Sequence, residues 1–257
     1  MRSGKTRSPR PGADLNVRGL ARTGRFRRHW HVLLLFDADD TLWENNVYFE
    51  RVIARFMQRL NHSQLSVAEV RARLNAIEHE HIVRFGYGVH SFARALCAAY
   101  STLAEAPPDA AALEDVHILA LTIAHEPIEL LPAVVETLAA LQPRHRMALV
   151  TKGDLAEQTS KLERSGLAPH FERVFVLPEK TAAAYRETVL ALTGDPATTW
   201  MIGNSPRSDI NPALAAGLRA VLVRHPDTWI LEHEALAPAP AGHLIEVESF
   251  AALQKLF

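Results

Sequence analysis

The sequence predicts an α/β protein: a Rossmann-like parallel sheet with an all-helical unit inserted after its first long strand. Three observations carry this. The stretch "HVLLLF" (31–36) is a continuous apolar run ending in acids, as expected of a strand covered on both faces. From Arg146 onward, strand-like and helix-like stretches alternate, the pattern of parallel strands joined by helices. Between these two parts, residues 46–126 show helical periodicity and no strand character.

The elements follow in order. Residues 1–30 carry nine Lys or Arg and one acid, Asp14, without apolar periodicity. Residues 1–29 therefore read as a disordered head, with a downstream start, an organelle transit peptide or a nucleic-acid tether as alternatives. The core is expected over 30–45 and 127–257, with the helical unit at 46–126. In that unit "FERVIARFMQRL" puts Val52, Ile53, Phe56, Met57 and Leu60 on one helical face. Ser66 with Glu69 forms a capping box that opens a second helix through Leu74 and Ile77. "SFARALCAAY", with Ser91 as its N-cap, and "LEDVHILALTIA" give two more. Pro132 suits the first turn of the next helix. "RMALVT", "RVFVL", "TWMIG", "RAVLV" and "HLIEV" are strands. Helices are expected over 155–164, stopped by Gly166, over 181–192, over "NPALAAG", and briefly after Ser249.

Composition narrows the function. Nearly half the residues are hydrophobic (48%), which is ample for a core. Cys97 is the single cysteine, so no internal disulfide forms, and a reducing, cytoplasmic setting is expected. No apolar run approaches the roughly 18–20 residues of a membrane span. The net charge is −1, and removing the basic head leaves the remainder at −9. An acidic body argues against nucleic acid as the main partner.

Chemistry concentrates where the strands end. Parallel sheets bind ligands outside the carboxyl ends of their strands. There the sequence places Asp37, Asp39, Asp40 and Thr41, then Thr151 and Lys152, then Lys180, then Asn204, Ser205 and Asp209. Carboxylates, a hydroxyl and a lysine together suit a divalent cation and a phosphate, since Mg²⁺ takes hard oxygen ligands. Asp40 beside Thr41 reads as a turn cap, and Asp209 by itself could be a helix N-cap. His79 and His81 lie two apart on a helix and face different ways, which does not make a zinc pair.

"DADDT", a distant strand-end Thr, a Lys and an acidic loop, in that order, resemble the haloacid dehalogenase superfamily over residues 31–225. The helical insert resembles that family's α-helical cap (C1 type). The resemblance implies a Mg²⁺-dependent phosphatase acting on a small soluble phosphate ester. It implies that Asp37 is the nucleophile, Asp39 the general acid and base, Thr151 a phosphoryl ligand and Lys180 the charge stabiliser. Asp37, the backbone carbonyl of Asp39, Asn204 and Asp209 would hold the metal. Thr41, Lys152 and the cap residues Arg84, Tyr87 and His90 would contact substrate, while Trp43, Glu44 and Asn45 line the cap hinge. Dehalogenating relatives lack an Asp at the position of Asp39, so its presence favours phosphate esters. Asn204 departs from the family's acid there, keeping an oxygen but no charge. A phosphomutase and a silent binding protein are the rival readings, and the sequence names neither the substrate nor the oligomeric state.

Overall fold

The computed structural model describes residues 14–15 and 32–257. The expectation for the basic head falls outside the described residues, apart from Asp14–Leu15. Those two form strand β1, which pairs antiparallel with Val174–Phe175 and makes one edge of the sheet. The remaining strands are parallel: β2 (Leu33–Phe36), β3 (Arg146–Lys152), β4 (Arg173–Leu177), β5 (Thr199–Gly203), β6 (Arg219–Val223) and β7 (Leu244–Val247). Their order is β1-β4-β3-β2-β5-β6-β7.

Side chains alternate across this sheet with the period of two that a pleated strand imposes. Leu34 and Phe36 pack on one face with Leu138, Leu141 and Phe250. Leu33 and Leu35 pack on the other with Tyr185 and Val189. The helices that cover the sheet are α5 (Val134–Leu141), α6 (Leu155–Ser165), α7 (Ala182–Ala191), α8 (Asn211–Ala215) and the terminal α9 (Leu253–Leu256), taking numbers after the four helices of the insert. Register matters most for function. Phe36 lies opposite Leu149 of β3 and Ile202 of β5, so the residues just beyond these three lie at neighbouring levels of the sheet. Asp37, Thr151 and Asn204 thereby meet at one edge.

The insert consists of α1 (Asn46–Leu60), α2 (Val67–Phe85), α3 (Val89–Leu103) and α4 (Ala110–Leu121). It has its own apolar centre, with Val52, Phe56, Leu74, Phe92 and Leu96 buried together. The capping box is present, Ser66 accepting from the Glu69 N–H and Glu69 accepting from that of Ser66. Two helix starts differ from expectation. α3 begins at Val89, because Gly88 turns the chain at φ 116°, a conformation that excludes a side chain, and Glu157 accepts the Val89 N–H at 2.9 Å. Ser91 is thus buried inside the helix, not its cap. α5 begins after Ala133, whose left-handed φ of 63° follows Pro132, so Pro132 sits before the helix. The reason is the hinge. Residues 42–44 leave for the insert alongside residues 129–131 returning from it, with Glu44 N donating to Glu129 O and Leu131 N to Leu42 O, each at 2.9 Å. No helix among the described residues is long and apolar enough to cross a membrane.

Candidate active site

The site begins one residue beyond β2. Asp37 is buried, and its carboxylate accepts from the Thr41 hydroxyl at 3.0 Å and from the Lys180 ammonium. Lys180, reached by the loop after β4, also donates to Asp209 Oδ1 at 2.7 Å. Asp209 is fully buried, and its second oxygen accepts the Ser205 N–H at 3.0 Å. Its position needs Gly203. A Cβ on that residue would lie 2.2 Å from Asp209 Oδ2. The loop holds Asp209 in a single wide turn, with Ile210 N donating to Ser205 O five residues back at 3.1 Å.

Two buried carboxylates therefore share one ammonium. Burial, reinforced by Asp209, pushes Asp37 up to about 7 although Lys180 pulls the other way. The two acids raise Lys180 against the effect of its burial. Asn204 is buried beside them, its Oδ1 3.3 Å from the Thr41 hydroxyl and its Nδ2 donating to Thr228 at 3.2 Å. The residual negative charge of Asp37 and Asp209, with a neutral oxygen from Asn204, is a hard donor set that fits a small divalent cation.

Asp39 takes a different environment. Its oxygens accept from Trp43 Nε1 at 2.7 Å, Gln158 Nε2 at 2.8 Å and Lys161 Nζ at 2.9 and 3.0 Å. Burial alone would raise its pKa. The Lys161 charge and these hydrogen bonds overcome that and hold the carboxyl below its usual range. Asp37, Asp39, Thr151, Lys180, Asn204 and Asp209 all line one cavity of about 140 Å³ between the sheet edge and the insert.

The other expected residues divide between the cavity and its surroundings. Thr41 is fully buried and does not line the cavity, because its hydroxyl is used in fixing Asp37 and it accepts the Asn204 N–H. Lys152 lines the cavity, yet its ammonium is held by Glu232 at 2.6 Å and Ser208 at 2.7 Å, so it is not free for a ligand. Tyr87 reaches the cavity with its hydroxyl between Glu179 and Lys152. Arg84 and His90 do not. Both are exposed, and Arg84 stacks on Phe85, since one turn of α2 and the kink at Gly88 point them outward. Asp40 is the turn cap expected, accepting from the N–H groups of Asn45 and Asn46 at 2.8 and 3.0 Å. It adopts φ 58°, and burial pushes it up to about 7.

Sequence reading missed Lys161, Gln158 and Glu232. Lys161 and Gln158 lie on the face of α6 turned to Asp39, a direction that helical spacing in isolation does not reveal. Glu232 comes from the irregular chain after β6 and accepts from Ser205 as well as Lys152, which hold it below the usual range against its burial. A separate group at the hinge brings ligand atoms of Asp40, Glu44 and His225 within 4.8 Å of one another, and His225 Nε2 is 3.3 Å from Glu44.

A family model, that of the haloacid dehalogenase-like hydrolases, matches residues 32–217, which hold this whole strand-end constellation except Glu232. The chain belongs to that family. Solved haloacid dehalogenase-like structures share its architecture. A family hydrolase from Xanthomonas campestris is 27% identical with a TM-score of 0.74, over 88% of this chain and 93% of that one. A Bacillus subtilis protein described as a HAD-hydrolase, bound to magnesium, gives 18% identity and 0.62 over 88% and 98%. The L-2-haloacid dehalogenase of Xanthobacter autotrophicus gives 17% and 0.58 over 87% and 97%. Among curated proteins, none matches the sequence.

Proposed function

We propose that this haloacid dehalogenase-like hydrolase is a Mg²⁺-dependent phosphomonoesterase acting on a small soluble phosphate ester. The observation that supports it most is Asp39, a second carboxyl in the same cavity as Asp37. A phosphate ester releases an alkoxide that needs a proton, whereas a halide does not. The charge of the cavity supports the same reading. Its lining has three lysines, each engaged by a carboxylate, and no arginine among the described residues. A 2-haloacid would bring a carboxylate into that surrounding without a free cation to receive it.

In this reading an oxygen of Asp37 attacks phosphorus, a P–O bond to the enzyme forms, and the ester P–O bond breaks. Asp39 in its acid form gives its proton to the departing alcohol oxygen. Water then attacks the aspartyl phosphate, Asp39 takes a proton from it, and inorganic phosphate leaves. Thr41 and Lys180 fix the Asp37 carboxylate, and Lys180 with Thr151 faces the phosphoryl charge. Lys161 holds Asp39 ionised in this arrangement, the form the second half-reaction uses. The first requires that ion pair to loosen. Asp37, Asp209, Asn204 and the Asp39 backbone carbonyl would hold Mg²⁺, which supplies positive charge against the phosphoryl oxygens.

The test is release of inorganic phosphate from p-nitrophenyl phosphate by purified protein. Turnover should require Mg²⁺ and vanish in Asp37→Asn. Halide release from 2-haloacids without phosphate release from any ester would overturn the reading.

A further inference from the structure

We infer that the substrate's leaving group carries an ammonium group received by Glu78 in the roof of the cavity, so that preferred substrates are phosphate monoesters of small amino alcohols. This rests on the phosphomonoesterase reading and goes on to name the substrate class.

Glu78 interrupts an apolar seam. Val70, Leu74 and Glu78 follow one another at intervals of four along α2, and all three are buried. The first two close the insert's own centre, while Glu78 lines the cavity. It is 5% exposed, and its Oε2 has no hydrogen-bond partner among the described residues. Arg71, one candidate partner on the same helix, is committed elsewhere, donating to both Glu50 oxygens at 2.6 Å and to Asn75 at 2.8 Å. Burial accordingly pushes Glu78 up to about 7. A buried carboxyl without a partner is costly unless a ligand completes it.

A second orphan points the same way. Gln158 donates its Nε2 to Asp39, a group that only accepts, so its amide orientation is forced. Its Oε1, buried and without a partner, is the end left over. Gln158 Oε1 accepts only, and Glu78 accepts in its ionised form, the form that a cationic donor would favour.

Charge decides which donor. Seven carboxyl side chains and three lysines line the cavity. The lysines are matched to Glu232, Asp39 and the Asp37–Asp209 pair. Asp40 and Glu157 are satisfied by backbone N–H groups. Glu78 has neither a lysine nor a backbone donor at Oε2, and a divalent cation with a phosphoryl dianion adds no net charge to offset the excess of carboxyls over lysines. An ammonium is donor-only and cationic, so it answers both the orphan acceptors and the excess charge. Phe49, Ile82 and Phe92 line the same cavity and suit a short alkyl chain, and the volume of about 140 Å³ keeps the alcohol small.

Three esters of one chain length provide the test: 2-aminoethyl, 2-hydroxyethyl and carboxymethyl phosphate, with p-nitrophenyl phosphate as a reference. We expect kcat/KM for the aminoethyl ester to exceed that for the hydroxyethyl ester by about 10-fold to 100-fold, with the carboxymethyl ester slowest. In Glu78→Gln, which keeps the shape and removes the charge, the amino-over-hydroxyl ratio should collapse toward one. Thermal melting of that variant, expected to match the parent or exceed it, reports that it is folded. Hydrolysis of the reference ester with no amino preference, or a preference that survives Glu78→Gln, overturns this inference alone. No phosphate from any of the four overturns the phosphomonoesterase reading and this inference with it.

Discussion

Lys161 Nζ reaches both carboxylate oxygens of Asp39, at 2.9 and 3.0 Å, and so ties the proposed general acid to a helix on the sheet. Replacing Lys161 by Met leaves Asp39 with neutral donors only, and its pKa rises. For alkyl phosphates, whose leaving oxygen needs a proton, the high-pH limb of kcat/KM should move to higher pH. For p-nitrophenyl phosphate, whose leaving group departs unprotonated, that limb should move much less. Equal displacement for both substrates would remove Asp39 from the proton transfer.

Lys180 is buried between Asp37 and Asp209, so Lys180→Met strands two carboxylates. Loss of one partner from a buried ion pair costs about 3–5 kcal/mol. Denaturant unfolding at pH 7 and at pH 5 would measure it. The loss should be smaller at pH 5, where protonating either acid relieves the unpaired charge, and a loss independent of pH would contradict the shared-ammonium arrangement.

Stability without added metal should have an unusual pH dependence. Asp37, Asp40 and Glu78 are each pushed up to about 7, so the folded state holds protons that the unfolded chain has released. Their contribution is full below the unfolded values of 3.8 and 4.5 and disappears as pH rises through about 7. Asp39 and Glu232 are depressed and act oppositely, contributing above their unfolded values and losing that as pH falls. Melting temperature should therefore peak on the acid side of neutrality and decline toward pH 8. Mg²⁺ should reduce the decline by offsetting the charge on Asp37. A maximum at pH 8 in the metal-free protein would refute this.

Gly203 gives Asp209 its place. In Gly203→Ala the new methyl meets the carboxylate, which must move and carry Lys180 with it. Overpacking of this kind costs about 1–3 kcal/mol. On the proposed function, turnover of p-nitrophenyl phosphate should fall far more than stability does, and unchanged kcat would show that Asp209 is dispensable.

Asn204→Asp tests the missing charge. A third carboxylate in the donor set should lower the half-saturating Mg²⁺ concentration by about tenfold, a typical span for ligand-shell changes. Calorimetric titration reads this directly. Unaltered affinity would place Asn204 outside the metal's surroundings.

The sequence by itself determined the sheet, its helices and the residues at the strand ends, because those features are local. An apolar run of strand length, a capping box at Ser66 and a charged or polar residue at each of four strand ends are all legible within a few residues. Asp37, Thr151, Lys180, Asn204 and Asp209 could be grouped because parallel strands end at one edge. The tertiary structure alone decided which side chains face which. Arg84 and His90 share the Tyr87 loop in sequence, yet the kink at Gly88 turns only Tyr87 inward. Lys161, Gln158, Glu78 and Glu232 carry no motif. They matter because α6, α2 and the chain after β6 are packed around one small cavity, where burial strengthens each charge and leaves each unpaired oxygen in need of a partner.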